Sequence, residues 1–167
     1  PLLECLASVV TALGPGFADS APPVFQRCER LITFGLEGQA KGEIDDLDND
    51  FIVCPLDLIS GLAEGMGPAF DPLVANSQLI PQVLLCCQHG DPAVRQSAFA
   101  LIGDLTKTSL ERLKPYLGHI IQIGQANINP EHVSVCNNAT WAIGELAVRV
   151  GSDMEQVIPG LLPPLIH

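Results

Sequence analysis

A short apolar pattern recurs along this chain at intervals of about 42 residues. Each copy carries a small residue at the same place, and Ser60, Gly103 and Gly144 mark three copies that stand 43 and 41 residues apart. An earlier copy fits the same pattern if Ala7 takes that place, 53 residues before Ser60. A repeat of this period is typical of helical solenoids, in which each helix pair buries its apolar face only by stacking on its neighbours. We therefore predict an all-α solenoid.

The repeat also divides the chain. We expect partial repeats at residues 1–16 and 152–167, complete repeats near residues 17–67, 68–108 and 109–151, and an acidic surface loop, rich in Gly and Asp, over residues 37–50. Gly14, Gly67 and Gly151 stand where a helix ends on a residue with a left-handed conformation. Asp91 and Pro92 fit the capping residue and the first-turn proline at the start of another helix.

Prolines interrupt the segments that lie between the copies. We expect these segments to form the partner helices of the pairs, near residues 22–36, 68–88, 110–125 and 153–166. A proline in a helix interior removes a hydrogen bond and kinks or splits the helix. The prolines concerned are Pro72, Pro81, Pro115 and Pro159.

Charge limits the kinds of partner. The chain has 8 Lys and Arg against 19 Asp and Glu, which gives a formal net charge of −11. Such an excess of carboxylates disfavours binding to nucleic acid or to an anionic membrane surface, and it favours a basic partner. No apolar run approaches the roughly 18 residues that a membrane-spanning helix needs. We therefore expect no direct contact with nucleic acid and none with a membrane.

The sequence carries no signature of catalysis or of metal binding. Its six cysteines lie mostly within apolar runs, which is typical of reduced core residues in an intracellular protein. His132 and Cys136 share a helical face, but no second pair completes a tetrahedral set for zinc. No phosphate-cradling glycine loop stands before a helix, and the Ser and His residues form no nucleophile motif. We predict no enzyme activity, no cofactor and no metal site.

The only tryptophan of the chain, Trp141, lies in a helical pattern over residues 133–151. At helical period a core-facing stripe collects on one side, formed by Val135, Cys136, Ala139, Ala142, Ile143 and Leu146. On the opposite side lie Val133, Asn137, Trp141 and Val148, with Glu145 at the edge. A tryptophan in that position either packs on a neighbouring element or stands exposed, where a ligand can reach it and a cation can stack on its ring.

The exposed side of this helix has counterparts in the earlier copies. When the copies are aligned, Asp57 and Ala100 fall on the position of Trp141. Glu64 falls on the position of Val148. We therefore expect Trp141 to stand beside carboxylates, next to a small alanine that leaves room for a ligand.

Several motifs resemble known proteins. The run D-P-A-V-R-Q-S-A-F-A-L-I-G-D-L over residues 91–105 resembles the second helix of a HEAT repeat. The runs L-D-L-I-S-G-L-A-E-G over residues 56–65 and N-N-A-T-W-A-I-G-E over residues 137–145 closely resemble the transportins, nuclear import receptors of the importin-β family. This resemblance weakens over residues 35–50 and after residue 148. It implies a HEAT-repeat α-solenoid, a right-handed superhelix of antiparallel helix pairs, of which the chain is a central to C-terminal fragment.

The resemblance also implies a function and a set of site residues. In that family the second helices line a concave surface, which receives the basic or hydrophobic N-terminal part of a proline-tyrosine nuclear localisation signal. The matching positions here are Asp57, Glu64, Asp104, Val133, Asn137 and Trp141. Val53, Ala100 and Glu145 adjoin them.

The partners of the intact receptor follow from the same resemblance. They are the localisation signals of cargo proteins, often RNA-binding proteins, together with Ran in its GTP form and FG nucleoporins. Shuttling between the cytoplasm and the nucleus is implied as well. The alternative is a structural HEAT-repeat scaffold whose concave face binds a folded protein partner, because this repeat class serves several functions.

The polar site residues each have a structural explanation beside the functional one. Asp57 and Glu64 are either ligands for Lys or Arg of a flexible peptide or ordinary solvated carboxylates. Asp104 either attracts cargo or pairs with Lys107, three residues later. Asn137 either bonds the backbone of a bound peptide or satisfies a buried backbone group between repeats.

Overall fold

The computed structural model of the chain describes residues 2–42, 49–151 and 154, and all regular structure in these residues is helical. The α-helices are α1 (Leu2–Leu13), α2 (Ala21–Ala40), α3 (Asp50–Met66), α4 (Asp71–Ala75), α5 (Leu79–Cys86), α6 (Pro92–Thr108), α7 (Leu110–Leu113), α8 (Leu117–Ala126) and α9 (Val133–Val150). Short 3₁₀ turns lie at Gly14–Phe17, Gly67–Phe70, Lys114–Tyr116 and Pro130–His132.

The helices stack in a regular order. Helix α1 packs on α3, α3 on α6, and α6 on α9, and we call these four helices the second-helix layer. The helices between them pack on its members: α2 contacts α3, α5 contacts α6, and α8 contacts α9. This arrangement of stacked helix pairs confirms the predicted all-α solenoid. The division into repeats at the residue numbers given above stays a prediction.

Hydrogen bonds between neighbouring repeats join residues that are about one repeat period apart in the sequence. The side-chain amide of Asn127 donates to the backbone carbonyl of Cys87 at 3.3 Å, across a separation of 40 residues. The side-chain amide of Asn138 donates to the carbonyl of Gln96 at 3.0 Å, across 42 residues. Equivalent parts of successive repeats therefore lie beside each other, as stacking requires.

One continuous cluster of buried apolar side chains extends from α1 to α9. The predicted core stripe of α9 belongs to it, because Val135, Ala139, Ala142 and Leu146 are each at most 1% exposed. Ile143 lies at the margin, with its Cδ1 2.6 Å from the place where a Cβ on Gly124 would stand. Since burial of a large apolar side chain contributes about 1.5–3 kcal/mol, this stripe holds α9 against the rest of the stack.

The glycines that end α3 and α9 have the same backbone conformation. Gly67 has φ 56° and ψ −133°, and Gly151 has φ 61° and ψ −127°. The positive φ confirms the predicted left-handed residues at these helix ends, while ψ is extended and not helical. Side chains rarely adopt this region, so glycine is required more strongly than at an ordinary helix end.

The prolines between the copies split the partner helices as expected. Pro72 stands at the start of α4, and residues 76–78 separate that helix from α5. Pro115 lies in the 3₁₀ turn between α7 and α8. Pro81 is instead accommodated within the first turn of α5, and Pro159 lies outside the described residues. Asp91 caps α6, where its side chain accepts a hydrogen bond from the backbone N–H of Ala93.

The expected acidic loop over residues 37–50 is wrong at both of its ends. Helix α2 continues through residues 37–40, and α3 begins at Asp50. Asn49 is buried, accepts a hydrogen bond from Gln39 at 2.9 Å and donates one to Asp91 at 2.8 Å. This network fastens the end of α2 to the beginnings of α3 and α6. Residues 43–48 lie outside the described part of the chain.

None of the described helices combines the length and the apolar character that crossing a membrane requires.

Candidate functional site

The side of α9 that faces away from the core carries an exposed apolar surface. Val133 is 60% exposed, Val148 is 81% exposed and Trp141 is 38% exposed. Large apolar side chains are rarely exposed next to one another, so such a surface is a candidate for binding another molecule. Near its N-terminal end, a shallow groove of about 360 Å³ lies between α6 and α9 and is lined in part by Val133.

Trp141 is both packed and exposed. Its indole ring lies against Gly103 of α6, where an added Cβ would stand 2.1 Å from Cζ3 of the ring. No side chain fits in that space, so the ring depends on glycine at position 103. Packing and exposure, which the sequence left as alternatives, are thus combined in one side chain, and a small residue in contact with the ring is Gly103.

A basic side chain lies over the same ring. The Nζ of Lys107 is 4.7 Å from the ring centroid of Trp141, which is within the range of a cation–π interaction. The same Nζ pairs with Oδ1 of Asp104 at 3.2 Å, and the side chains of Lys107 and Asp104 are 42% and 16% exposed. The hydroxyl of Ser60, on α3, donates to Oδ2 of Asp104. A continuous set of polar and aromatic contacts therefore joins α3, α6 and α9.

Two predicted carboxylates lie on α3, on either side of this set of contacts. Asp57 is three residues before Ser60 and Glu64 is four residues after it, so each is about one helical turn away. Both residues are exposed. Glu64 forms no ion pair with any described residue. The acidic groups of α3 therefore stand on the same side of the layer as the bond from Ser60 to α6.

Two neighbouring asparagines of α9 have different surroundings. Asn137 is exposed, one turn before Trp141, and its side chain makes no hydrogen bond within the part of the chain that the structure describes. The bond between repeats that Asn137 was considered for is made instead by Asn138, which bonds the carbonyl of Gln96. Asn137 thus keeps its amide available on the exposed face.

The adjoining residues are more enclosed. Val53 and Ala100 are half-buried, and Val53 packs against the core cluster. Glu145 forms an ion pair with Arg149, one turn later on α9. The structure therefore brings α3, α6 and α9 together along one side of the stack, with Asp57, Glu64, Val133, Asn137 and Trp141 exposed there and with Asp104 already paired.

Comparisons with known proteins identify the relatives of this chain. Residues 79–109 match the HEAT repeat family. Human Transportin-1 is 45% identical over 172 residues, which is 100% of this chain and 19% of that protein. The chain is a segment of transportin type. A Transportin-1 of Oryza sativa subsp. japonica is 45% identical over 95% of the chain, and Importin subunit beta-2 of Schizosaccharomyces pombe is 37% identical over 99% of it.

This transportin-type segment spans about a fifth of the length of those relatives, since it covers 19% of the human protein and 18% of the rice protein. The repeat that matches the HEAT family contains α5 and α6. It therefore includes Gly103, Asp104 and Lys107, which contact α3 and α9.

Two contacts of Trp141 could not be predicted from the sequence. Lys107 was recognised only as a possible partner of Asp104, and its position over Trp141 depends on how α6 and α9 are aligned across their interface. The contact of Trp141 with Gly103 depends on the same alignment. Another cleft, of about 530 Å³, lies between the start of α6 and the end of α8, and none of the predicted site residues lines it.

Among the described residues of the transportin-type segment, burial raises the pKa of buried thiols and of the Glu29 carboxyl. Burial raises the pKa of the Cys28 thiol to about 11 and that of the Cys86 thiol to about 12, which suppresses their thiolate forms at neutral pH. Within the described residues, no group of three or more His, Cys, Asp and Glu side chains is arranged to hold a metal ion.

Proposed function

We propose that this segment binds an extended basic and apolar peptide, the N-terminal part of a nuclear localisation signal, on the exposed side of α3, α6 and α9. The observation that carries the proposal is Trp141, which Gly103 holds against α6 with 38% of its surface exposed. The names of the relatives, transportin and importin, are in accord with a role in nuclear import.

The carboxylates of α3 supply the attraction for basic side chains. An exposed pair of a carboxylate with Lys or Arg contributes only about 0.2–1 kcal/mol. Asp57 and Glu64 therefore act together, supported by the net charge of −11 of the chain. Attraction that is spread over several carboxylates tolerates variation in the sequence of the peptide.

The exposed side of α9 supplies apolar contact and a hydrogen bond. Val133 and Trp141 offer apolar surface two helical turns apart, and Asn137 lies between them with its amide exposed. A carboxamide both donates and accepts, so it can pair with a peptide backbone of any sequence. An extended peptide that crosses from α3 to α9 would thus meet charge first and apolar surface next.

In the intact receptor, this act forms part of a larger cycle. We propose that the second-helix layer lines the concave side of the solenoid and that the cargo signal is of the proline-tyrosine type. Ran in its GTP form and FG nucleoporins are the further partners, and the receptor shuttles between the cytoplasm and the nucleus. The segment acts by reversible binding, without catalysis and without a cofactor.

A titration tests the proposal. A labelled peptide rich in Lys and Arg is added to the chain, and its fluorescence anisotropy is followed at low and high salt. We expect binding that weakens as salt rises, because screening reduces exposed electrostatic attraction. The double variant Trp141→Ala with Asp57→Ala should lose binding, whereas Asp19→Ala, which removes an exposed carboxylate outside the second-helix layer, should bind normally.

Two further measurements make the titration decisive. Circular dichroism of each variant checks that the helices remain, so that lost affinity is not lost folding. Equal affinity of the wild type and the double variant, together with unchanged Trp141 emission on adding the peptide, would overturn the proposal. A folded protein that binds while the peptide does not would favour the scaffold instead.

A further inference from the structure

We propose that Lys107 determines the specificity of the site, an inference that rests on the proposed peptide binding. Its ammonium occupies the cation position over the ring of Trp141, 4.7 Å from the ring centroid. A bound signal therefore places an uncharged side chain at Trp141. The Lys and Arg side chains of the signal are directed to the carboxylates of α3.

The position of Lys107 is fixed by its own helix. Gly103 and Lys107 are four residues apart on α6, which is about one turn, and both contact the indole of Trp141. The same helix therefore supports the ring and supplies the cation. A second cation at the ring would have to displace the ammonium of Lys107 or approach it closely, and like charges at that distance repel.

The counterion of Lys107 is internal as well. Its Nζ pairs with Oδ1 of Asp104 at 3.2 Å, and the hydroxyl of Ser60 donates to the other oxygen, Oδ2. Both carboxylate oxygens are thus engaged, and the side chain of Asp104 is only 16% exposed. A cargo Arg that displaced Lys107 would have to break this pair. Asp104 therefore holds Lys107 in place instead of attracting cargo directly.

Glu64, on α3, contrasts with Asp104. Asp57 and Glu64 are exposed, and Glu64 forms no ion pair with a described residue. A basic side chain can reach Glu64 without displacing a lysine. Contacts with the basic side chains of the peptide therefore form on α3, and contacts with its apolar side chains form on α9. Helix α6 lies between the two.

A substitution series in the peptide tests this separation. One short extended peptide is prepared as a set in which each position in turn carries either Leu or Arg, and affinities are measured by anisotropy. With the wild-type chain, we expect one position at which Arg weakens binding about tenfold relative to Leu. In Lys107→Met, which keeps the aliphatic stem but removes the charge, that preference should vanish or reverse, because Trp141 then accepts the Arg.

Matched variants exclude indirect effects. Lys41→Met removes another exposed, ion-paired lysine, at the C-terminal end of α2, and should leave the preferences unchanged. Lys107→Gln is a second neutral replacement and should behave as Lys107→Met does. Lys107→Arg keeps the cation and should retain the wild-type preference. An unchanged Leu and Arg pattern in both neutral variants would overturn the inference while leaving the proposed function standing.

A measurement without peptide separates the two ideas further. The ring current of Trp141 should shift the Hε resonance of Lys107 upfield in the free chain, and Trp141→Leu should abolish that shift. A normal Hε shift in the wild type would show that the lysine does not occupy the ring, and the inference would fail at once. If the shift is present but no peptide binds, the proposed function fails, and the role in specificity fails with it.

Discussion

Helices α3 and α9 occupy equivalent places in the stack, yet they present different chemistry at the same positions. The position that holds Asp57 in α3 holds Trp141 in α9, and the position of Glu64 corresponds to that of Val148. All of these side chains are exposed. The repeat thus fixes where a side chain projects, and the residue type alone decides whether that place is acidic or apolar.

Helix α6 lies between them and carries a third type of residue at an equivalent position. Lys107 occupies the position that corresponds to Glu64 and Val148, and its charge is balanced by Asp104 on the same helix. The part of the exposed surface that α6 contributes, between α3 and α9, is therefore close to neutral.

The largest effect on stability is expected at Gly103. Gly103→Ala places a Cβ 2.1 Å from the ring of Trp141, so α6 and α9 must move apart or the ring must turn away. Overpacking of this kind costs about 1–3 kcal/mol, and we expect the free energy of unfolding, measured in urea, to fall by that amount.

The equivalent glycine of α9 provides the matched control. Among the described residues, no atom lies within 4 Å of the place where a Cβ on Gly144 would stand. Gly144→Ala should therefore stabilise the chain by about 0.5–1 kcal/mol, through the better helix propensity of alanine. Equal stabilities for the two variants would contradict the contact between Gly103 and Trp141.

A smaller effect is expected when the charges of α3 are removed. The double variant Asp57→Asn with Glu64→Gln removes both charges of α3 while keeping the shapes of the side chains. It should weaken binding of a basic peptide by about 0.4–2 kcal/mol, as expected for two exposed pairs. Calorimetric titration measures the loss, and Asp19→Asn serves as the control. Full affinity in the double variant would place the attraction elsewhere.

The smallest effect should come from making α9 resemble α3. Val148→Glu puts a carboxylate at the position that corresponds to Glu64, on a side chain that is 81% exposed. Stability should change by less than about 0.5 kcal/mol, while affinity for a basic peptide should rise by about 0.2–1 kcal/mol. If affinity falls instead, the apolar surface of Val148 contributes more than a new charge does.

The sequence predicted the parts of the molecule that depend on local pattern. Helical period alone assigned Val135, Ala139 and Leu146 to the core, and the repeat spacing predicted which helices stack. It did not predict the position of Lys107 over Trp141, because that contact depends on the alignment of two helices across their interface. Pattern along one helix carries no information on that alignment.

Composition misled the prediction at residues 37–50. Gly and Asp are common in loops, but the chain here continues α2 to Ala40, and Gly38 is buried within that helix. The burial of Asn49 was equally hidden, since its partners Gln39 and Asp91 come from other parts of the chain. Residues that satisfy each other over long separations look like solvated polar residues when only their neighbours in sequence are considered.

The contact between Trp141 and Gly103 has an optical consequence. The exposed share of the ring is set by how closely α6 and α9 approach, so its emission responds to the spacing of two adjacent repeats. Bending of the stack between α6 and α9 would change the exposure of the indole to water even when no ligand is bound. Because Trp141 is the only tryptophan in the sequence, the emission of the chain reports on the curvature of the solenoid at this place.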